Sequence, residues 1–198
     1  MLMNKLDIWL INTPFRKWLL DRATRKYFFE YFNELKEKTV LEIGCGSGGG
    51  TELILKYFSP KKLIATDLDP RLIALAKNNV QNKKVIFEKA NATKLSYKEK
   101  SFDAIFDYGV IHHIPLPEWK ECLKEIYRVL KPGGKLFLWD VSIESFYTIF
   151  GRIIKLFTPH PYNKMFRKQE FINYINLLGF KIIKKTEEPR YFSIIAEK

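Results

Sequence analysis

Two stretches of this sequence carry residue types and spacings fit for chemistry. The first is VLEIGCGSGGGT, residues 40–51, an apolar run that passes into glycines and then into a helical pattern. Without a Cβ, Gly44, Gly46 and Gly48 can turn sharply and let a ligand lie against bare backbone, with the amides of the following helix pointing at it. Glu42, two residues before the first glycine, sets a carboxylate beside that loop, which suits a cationic ammonium and repels a pyrophosphate. Read literally, Gly44, Gly46 and Gly49 also satisfy GxGxxG, with Asp67 near the acidic position of a dinucleotide fingerprint. The glycines alone therefore leave a nicotinamide-dependent oxidoreductase open. The second stretch holds His113, the first candidate for a base, and His112 behind it, whose imidazoles titrate in the range needed to take a phenolic or activated C–H proton, with Tyr108 as the next candidate. The alternative is that the histidine pair is structural and Tyr108 only positions.

These groups need elements to hold them. Apolar runs at 39–43, 62–66, 84–87, 102–106 and 135–139 alternate with helical patterns at 51–58, 70–79 and 117–130, the signature of βαβ units and a parallel sheet covered on both faces. Pro70 and Pro117 suit first-turn positions, and Pro132, Gly133 and Gly134 are expected to stop the third helix. Asp69 is expected to cap the helix at 70–79, and Asp103 to be structural. Strand-like runs at 180–184 and 191–196, separated by Glu187, Glu188 and Pro189, predict an antiparallel hairpin on the sheet. The predicted fold is α/β, a Rossmann-like doubly wound sheet, mostly parallel with an antiparallel C-terminal hairpin and helices on both faces. Its carboxyl edge, where such sheets bind ligands, is where His112 and His113 fall.

Composition narrows the class. The two cysteines, Cys45 and Cys122, lie far apart in no metal-ligand spacing, so neither a disulfide scaffold nor a zinc site is expected, and no metal is assigned. No base stands beside Cys45, which reads as a small filler in the loop. The net charge of +12 is spread along the whole chain rather than gathered into a nucleic-acid module. Asp7, Pro14, Arg16 and Lys17 interrupt the short apolar run at 8–11, so no signal peptide is read and a cytoplasmic setting is expected, with peripheral membrane contact left open.

After the glycine loop come TDLDP (66–70), KANATKL (89–95), SFDAIFDYGVIHHI (101–114) and YRVLKPGGKLFL (127–138). In this order the sequence over about residues 38–141 resembles the class I S-adenosylmethionine-dependent methyltransferase family, in its small-molecule branch of ubiquinone/menaquinone and sterol-type methylases. The resemblance implies S-adenosylmethionine as cofactor and a small-molecule methyl acceptor. It implies that Asp67 holds the ribose hydroxyls, that Leu68 packs on the adenine, and that Asn91 and Ala92 read the adenine edge. Many relatives place Asp where Asn91 stands, so the amide oxygen would accept without charge assistance. Glu42 would hold the methionine ammonium, the backbone at Gly44, Cys45 and Gly46 would lie against ribose and methionine, and Asp107 and Tyr108 would border the sulfonium. The N/D-P-P-Y/F motif common in relatives that methylate amino groups of nucleic acid or glutamine is replaced by Asp107, Tyr108, Gly109 and Val110. RNA or protein methylation is thus the minority reading, beside a non-catalytic S-adenosylmethionine-binding protein.

The ends depart from the core pattern. Residues 1–36 read as helices forming a lid, and 142–166 as an apolar helical insert, both aromatic-rich (Trp9, Phe15, Trp18, Tyr27, Phe28, Tyr31, Phe146, Phe150, Phe157). Facing the cleft, these rings would favour an apolar or aromatic acceptor; packed on the sheet, they would be core. The chain is read as a single domain: lid, core at 38–141, insert, and a C-terminal helix and hairpin at 167–198.

Overall fold

The computed structural model describes residues 12–148, 152 and 162–198. Its strands are β1 (Thr39–Ile43), β2 (Lys62–Asp67), β3 (Val85–Lys89), β4 (Phe102–Tyr108), β5 (Leu130–Asp140), β6 (Lys181–Glu187) and β7 (Phe192–Glu197). The helices are α1 (Pro14–Phe28), α2 (Gly49–Phe58), α3 (Pro70–Asn79), α4 (Glu118–Val129) and α5 (Lys168–Leu177). The strands form one sheet in the order β3-β2-β1-β4-β5-β7-β6, parallel from β3 through β5 and antiparallel at β7 and β6. The chain reverses direction between β1 and β4, so the loops after these two strands part and leave a crevice at the carboxyl edge.

Both faces of the central strands are apolar, and side chains alternate between two cores as the pleat requires. Leu41, Ile105, Leu136 and Leu138 join the core under α4 and α5, with Trp119, Ile126, Phe171 and Ile175. Val40, Ala104, Phe106 and Phe137 join the core under α1 and α2, with Phe28, Ile54 and Phe58. In this second core Phe106 and Phe137 stack at 4.7 Å, and Phe58 meets Phe106 edge-on at 4.8 Å.

The helices at 70–79 and 117–130 appear as expected, and Asp69 caps α3 by accepting from the Arg71 amide at 2.9 Å. Asp103 is structural, taking the Thr39 amide and the Lys131 ammonium, each at 2.9 Å. The expectation for Pro132–Gly134 needs correction. These residues do not stop a helix; α4 ends at Val129, β5 begins at Leu130, and the three residues bulge out between the pairs Phe102↔Leu130 and Ala104↔Lys135. Glycine tolerates the φ of 74° at Gly133 that such a bulge needs.

The N-terminal stripe divides. Phe28, Tyr31 and Leu35 are buried on the sheet, whereas Phe15 and Trp18 are 65% and 54% exposed. Trp9, Phe150 and Phe157, with residues 149–151 and 153–161 of the expected insert, lie outside the described residues. Among the described residues no helix is long and apolar enough to cross a membrane.

Deleting a ring from the second core leaves a cavity that the stiff sheet cannot collapse. Phe106→Ala should cost about 3–5 kcal/mol of unfolding free energy, read as a lower urea midpoint at unchanged slope.

Candidate active site

The loop after β1 turns left-handed at Gly44, φ +60°, and a Cβ there would sit 2.3 Å from a Val110 methyl. The two loops of the crevice thus touch at a point where only glycine fits. Asp67, at the end of β2, accepts from the Gly46 amide at 3.0 Å through one oxygen and from the Asp69 amide at 2.9 Å through the other. The carboxylate is thereby fixed in plane, and each oxygen keeps a lone pair for an outside donor. Burial is the main cause that raises its pKa.

Glu42 points from β1 toward the first turn of α2. Its carboxyl is buried, accepts a 2.5 Å hydrogen bond from the Thr51 hydroxyl, and has its pKa pushed up to about 8, chiefly by burial. A Cβ at Gly50 would lie 2.2 Å from Glu42 Oε1 and 2.7 Å from the Tyr108 ring. Gly50 therefore makes room for the acid, while Gly49 faces nothing nearer than Leu20 at 3.6 Å.

A cavity of about 460 Å³ opens over these groups, within the range of small-molecule sites. Glu42, Gly44, Cys45, Gly46, Asp67, Leu68, Asn91, Ala92, Tyr108, His112 and His113 all line it. Asp107 does not. Alternation along β4 turns its side chain to the opposite face from Tyr108, where it is fully buried and accepts from the Val110 amide at 3.1 Å. Its role is to hold the loop that carries the histidines; its Oδ2 has no hydrogen-bond partner among the described residues. Burial and the nearby Asp140 charge raise its pKa, which lets the carboxyl persist in the neutral form.

Tyr108 lines the cavity with its ring, but its hydroxyl pairs with the Thr24 hydroxyl at 2.9 Å on the α1 side, and burial raises its pKa. The Asn91 side-chain oxygen, expected to accept from adenine, instead closes its own turn on the Thr93 amide at 3.0 Å and hydroxyl at 2.9 Å. Short polar side chains at turns commonly bond their own backbone in this way. Cys45 is a buried filler whose thiol pKa is raised by burial.

Sequence reasoning missed two residues. Asp140, at the end of β5, receives His112 Nδ1 at 2.5 Å on one oxygen and the His112 amide at 3.2 Å on the other. Burial raises its pKa as well. A lone acid ending the apolar run KLFLW was its signal. Arg16 projects from α1 into the cavity, donates from Nη2 to the Tyr108 carbonyl at 3.0 Å and lies 5.3 Å from the centre of the Trp139 ring. Burial lowers its pKa, and among the described residues no carboxylate pairs with it directly. Its signal was position: Arg16 shares a helix face with the buried Leu20, Ala23 and Tyr27.

These residues fit the cofactor the sequence implies. Glu42 needs a cation and Arg16 an anion, the two ends of an α-amino acid, and Asp67 has lone pairs for a diol. Among the described residues no group of three or more His, Cys, Asp or Glu could hold a metal ion.

The Glu42 carboxyl makes stability depend on pH. Its folded pKa of about 8 exceeds the ordinary 4.5, so between these values the folded chain holds a proton that the unfolded chain has released. Stability contributed by this group is full below that window and is lost as pH rises through it. Glu42→Gln should therefore melt near wild type below the window and higher than wild type above it, in ligand-free thermal scans.

Comparison with known proteins agrees with this geometry. Residues 41–138 match the family described as methyltransferase domain. Phthiotriol/phenolphthiotriol dimycocerosates methyltransferase of Mycobacterium leprae is 32% identical over 107 residues, 54% of this chain and 39% of that protein. Demethylmenaquinone methyltransferase of Bacteroides fragilis is 25% identical over 146 residues, 68% of this chain and 58% of that protein. The chain thus spans less than two thirds of the length of these relatives. A methyltransferase structure from Aquifex aeolicus, described as SAM dependent, superposes with a TM-score of 0.75 at 21% identity, covering 98% of each chain, and so shares the fold. With the glycine loop and with Glu42 and Asp67 at the ends of β1 and β2, the stretch 41–138, which runs into β5, belongs to the methyltransferase domain family.

Proposed function

We propose that this protein transfers the methyl group of S-adenosylmethionine to a small molecule that enters beside His112. The observation that carries the reading is one cavity with amino-acid and diol-binding groups at one end and a carboxylate-oriented histidine at the other. When bound, the cofactor supplies an electrophilic methyl carbon on a sulfonium. The residues would do the rest. Glu42 and Arg16 hold the methionine end, Asp67 the ribose, and Leu68, 37% exposed, offers a surface for the adenine. The region formed by 12–36, the core and the C-terminal hairpin would act as a single catalytic domain, with segments around the cavity excluding water.

Charge disperses as the methyl group passes from sulfur to acceptor, so alignment in a dry pocket provides much of the acceleration, worth up to ~7–11 kcal/mol. A base is required only where the acceptor must lose a proton. The geometry favours His112 over His113 for that task, because Asp140 fixes the His112 ring through Nδ1 and stabilises its protonated form. Phe146, Tyr162 and Tyr191 line the acceptor side of the cavity and suit an apolar or aromatic body, in keeping with the quinone and lipid substrates in the names of the relatives.

Binding is tested by calorimetry with S-adenosylhomocysteine. Glu42→Ala, Asp67→Ala and Arg16→Met should each weaken it by about ten- to a hundredfold, the loss of one charge-assisted hydrogen bond, while NAD gives no heat. Wild-type titrations for all three variants would refute the site. Transfer is tested with methyl-labelled cofactor and a lipid extract, where label should appear in an organic-soluble product. With an acceptor in hand, His112→Ala should lower kcat by ~10²–10⁴ and Asp140→Asn should shift the pH profile of kcat at unchanged cofactor affinity. Equal loss in His113→Ala with wild-type behaviour in His112→Ala would reverse the assignment.

A further inference from the structure

The outer face of α1 has no role in the site. Phe15, Trp18, Arg22, Arg25 and Lys26 fall on one side of this helix, opposite the buried Leu20, Ala23 and Tyr27, and Phe29 extends the same side just past its end. Phe15, Trp18 and Phe29 are 65%, 54% and 56% exposed, although large rings are ordinarily withdrawn from water. Phe15 and Trp18 stack with centroids 5.9 Å apart, and the Arg22 guanidinium lies 5.9 Å from the Trp18 ring centre. The helix carries Arg16, Lys17, Arg22, Arg25 and Lys26 against a single acid, Asp21, which pairs with Arg25 at 2.8 Å, while Lys17 pairs with Glu52 and Lys26 with Glu188 in exposed ion pairs.

We propose that this face of α1 is a docking surface for an anionic lipid bilayer, with Phe15, Trp18 and Phe29 entering the headgroup region and Arg22, Arg25 and Lys26 meeting lipid phosphates. Charge complementarity selects this occupant. Rings interleaved with arginine and lysine are the composition of a helix lying in the bilayer interface, where aromatic rings sit at headgroup level and basic residues are attracted to anionic lipid. The same helix lines the catalytic cavity with Arg16 and Leu20. A docked α1 therefore brings the cavity mouth to the membrane surface, where an apolar acceptor would be dissolved.

The test is sedimentation of the full chain with vesicles of phosphatidylcholine and phosphatidylglycerol in equal parts, beside vesicles of phosphatidylcholine alone. Wild type should pellet with the anionic vesicles, and Phe15→Ser/Trp18→Ser should bind at least tenfold more weakly while keeping its melting temperature. Arg22→Glu/Arg25→Glu should also weaken binding, whereas Lys61→Glu/Lys62→Glu, the same charge change on the distant start of β2, should not. The proposal falls if wild type stays in the supernatant, or if the ring variant binds like wild type. It falls equally if the β2 variant loses as much as the α1 variant, which would mean bulk charge, or if the rings hold a dimer that Phe15→Ser/Trp18→Ser splits in gel filtration. Docking needs no cofactor, so its failure leaves the S-adenosylhomocysteine titrations and the methyl-transfer reading untouched.

Discussion

The structure turns on a carboxyl group kept out of water at the end of a buried strand. Glu42 sits where β1 meets the glycine loop, with Thr51 as its side-chain partner and, among the described residues, no cation paired with it. Burying an acid there is unfavourable, and the surrounding residues are the ones that make it possible. Gly50 vacates the volume, Thr51 supplies the hydrogen bond, and the Tyr108 ring closes the back with its hydroxyl fastened to Thr24. A low dielectric that penalises the unliganded acid also strengthens its attraction for an arriving ammonium.

The same economy governs the far side of the crevice. Asp107 and Asp140 lie on the neighbouring strands β4 and β5, both buried, and they serve different ends. Asp107 holds the loop of the two histidines by its backbone amides, and Asp140 takes the His112 ring itself. Burial raises the pKa of both acids, and the charge of Asp140 raises that of Asp107 further, as expected of like charges in a dry interior. Arg16, carried in by α1, adds a positive charge near both and closes the wall above Gly109.

Helix α1 consequently serves two environments. Its inner face contributes Leu20, Ala23 and Tyr27 to the aromatic core and Arg16 to the cavity, while its outer face leaves two stacked rings in solvent among basic residues. A helix selected for packing alone would not keep those rings exposed, which is why its outer face is read as a binding surface rather than as unfilled core.

Much of this was legible in the sequence. Continuous apolar runs alternating with helical patterns pointed to a doubly wound sheet, and Glu42 beside the loop glycines pointed to a ligand end, because strand-to-helix turns of this kind are local and depend on residues close together in the chain. Asp69 as a cap and Asp103 as a structural acid were readable for the same reason. What the sequence could not settle was decided between segments far apart. Whether Phe28 was core and Trp18 exposed, whether Asp107 faced the cavity, and which acid meets the His112 ring all depend on pleat direction and strand register. Asp140 meets His112 only because β5 pairs beside β4, and Arg16 reaches the cavity only because α1 packs across the carboxyl edge of the sheet. A one-dimensional pattern names which residues face inward; which neighbour they meet there is set by long-range packing.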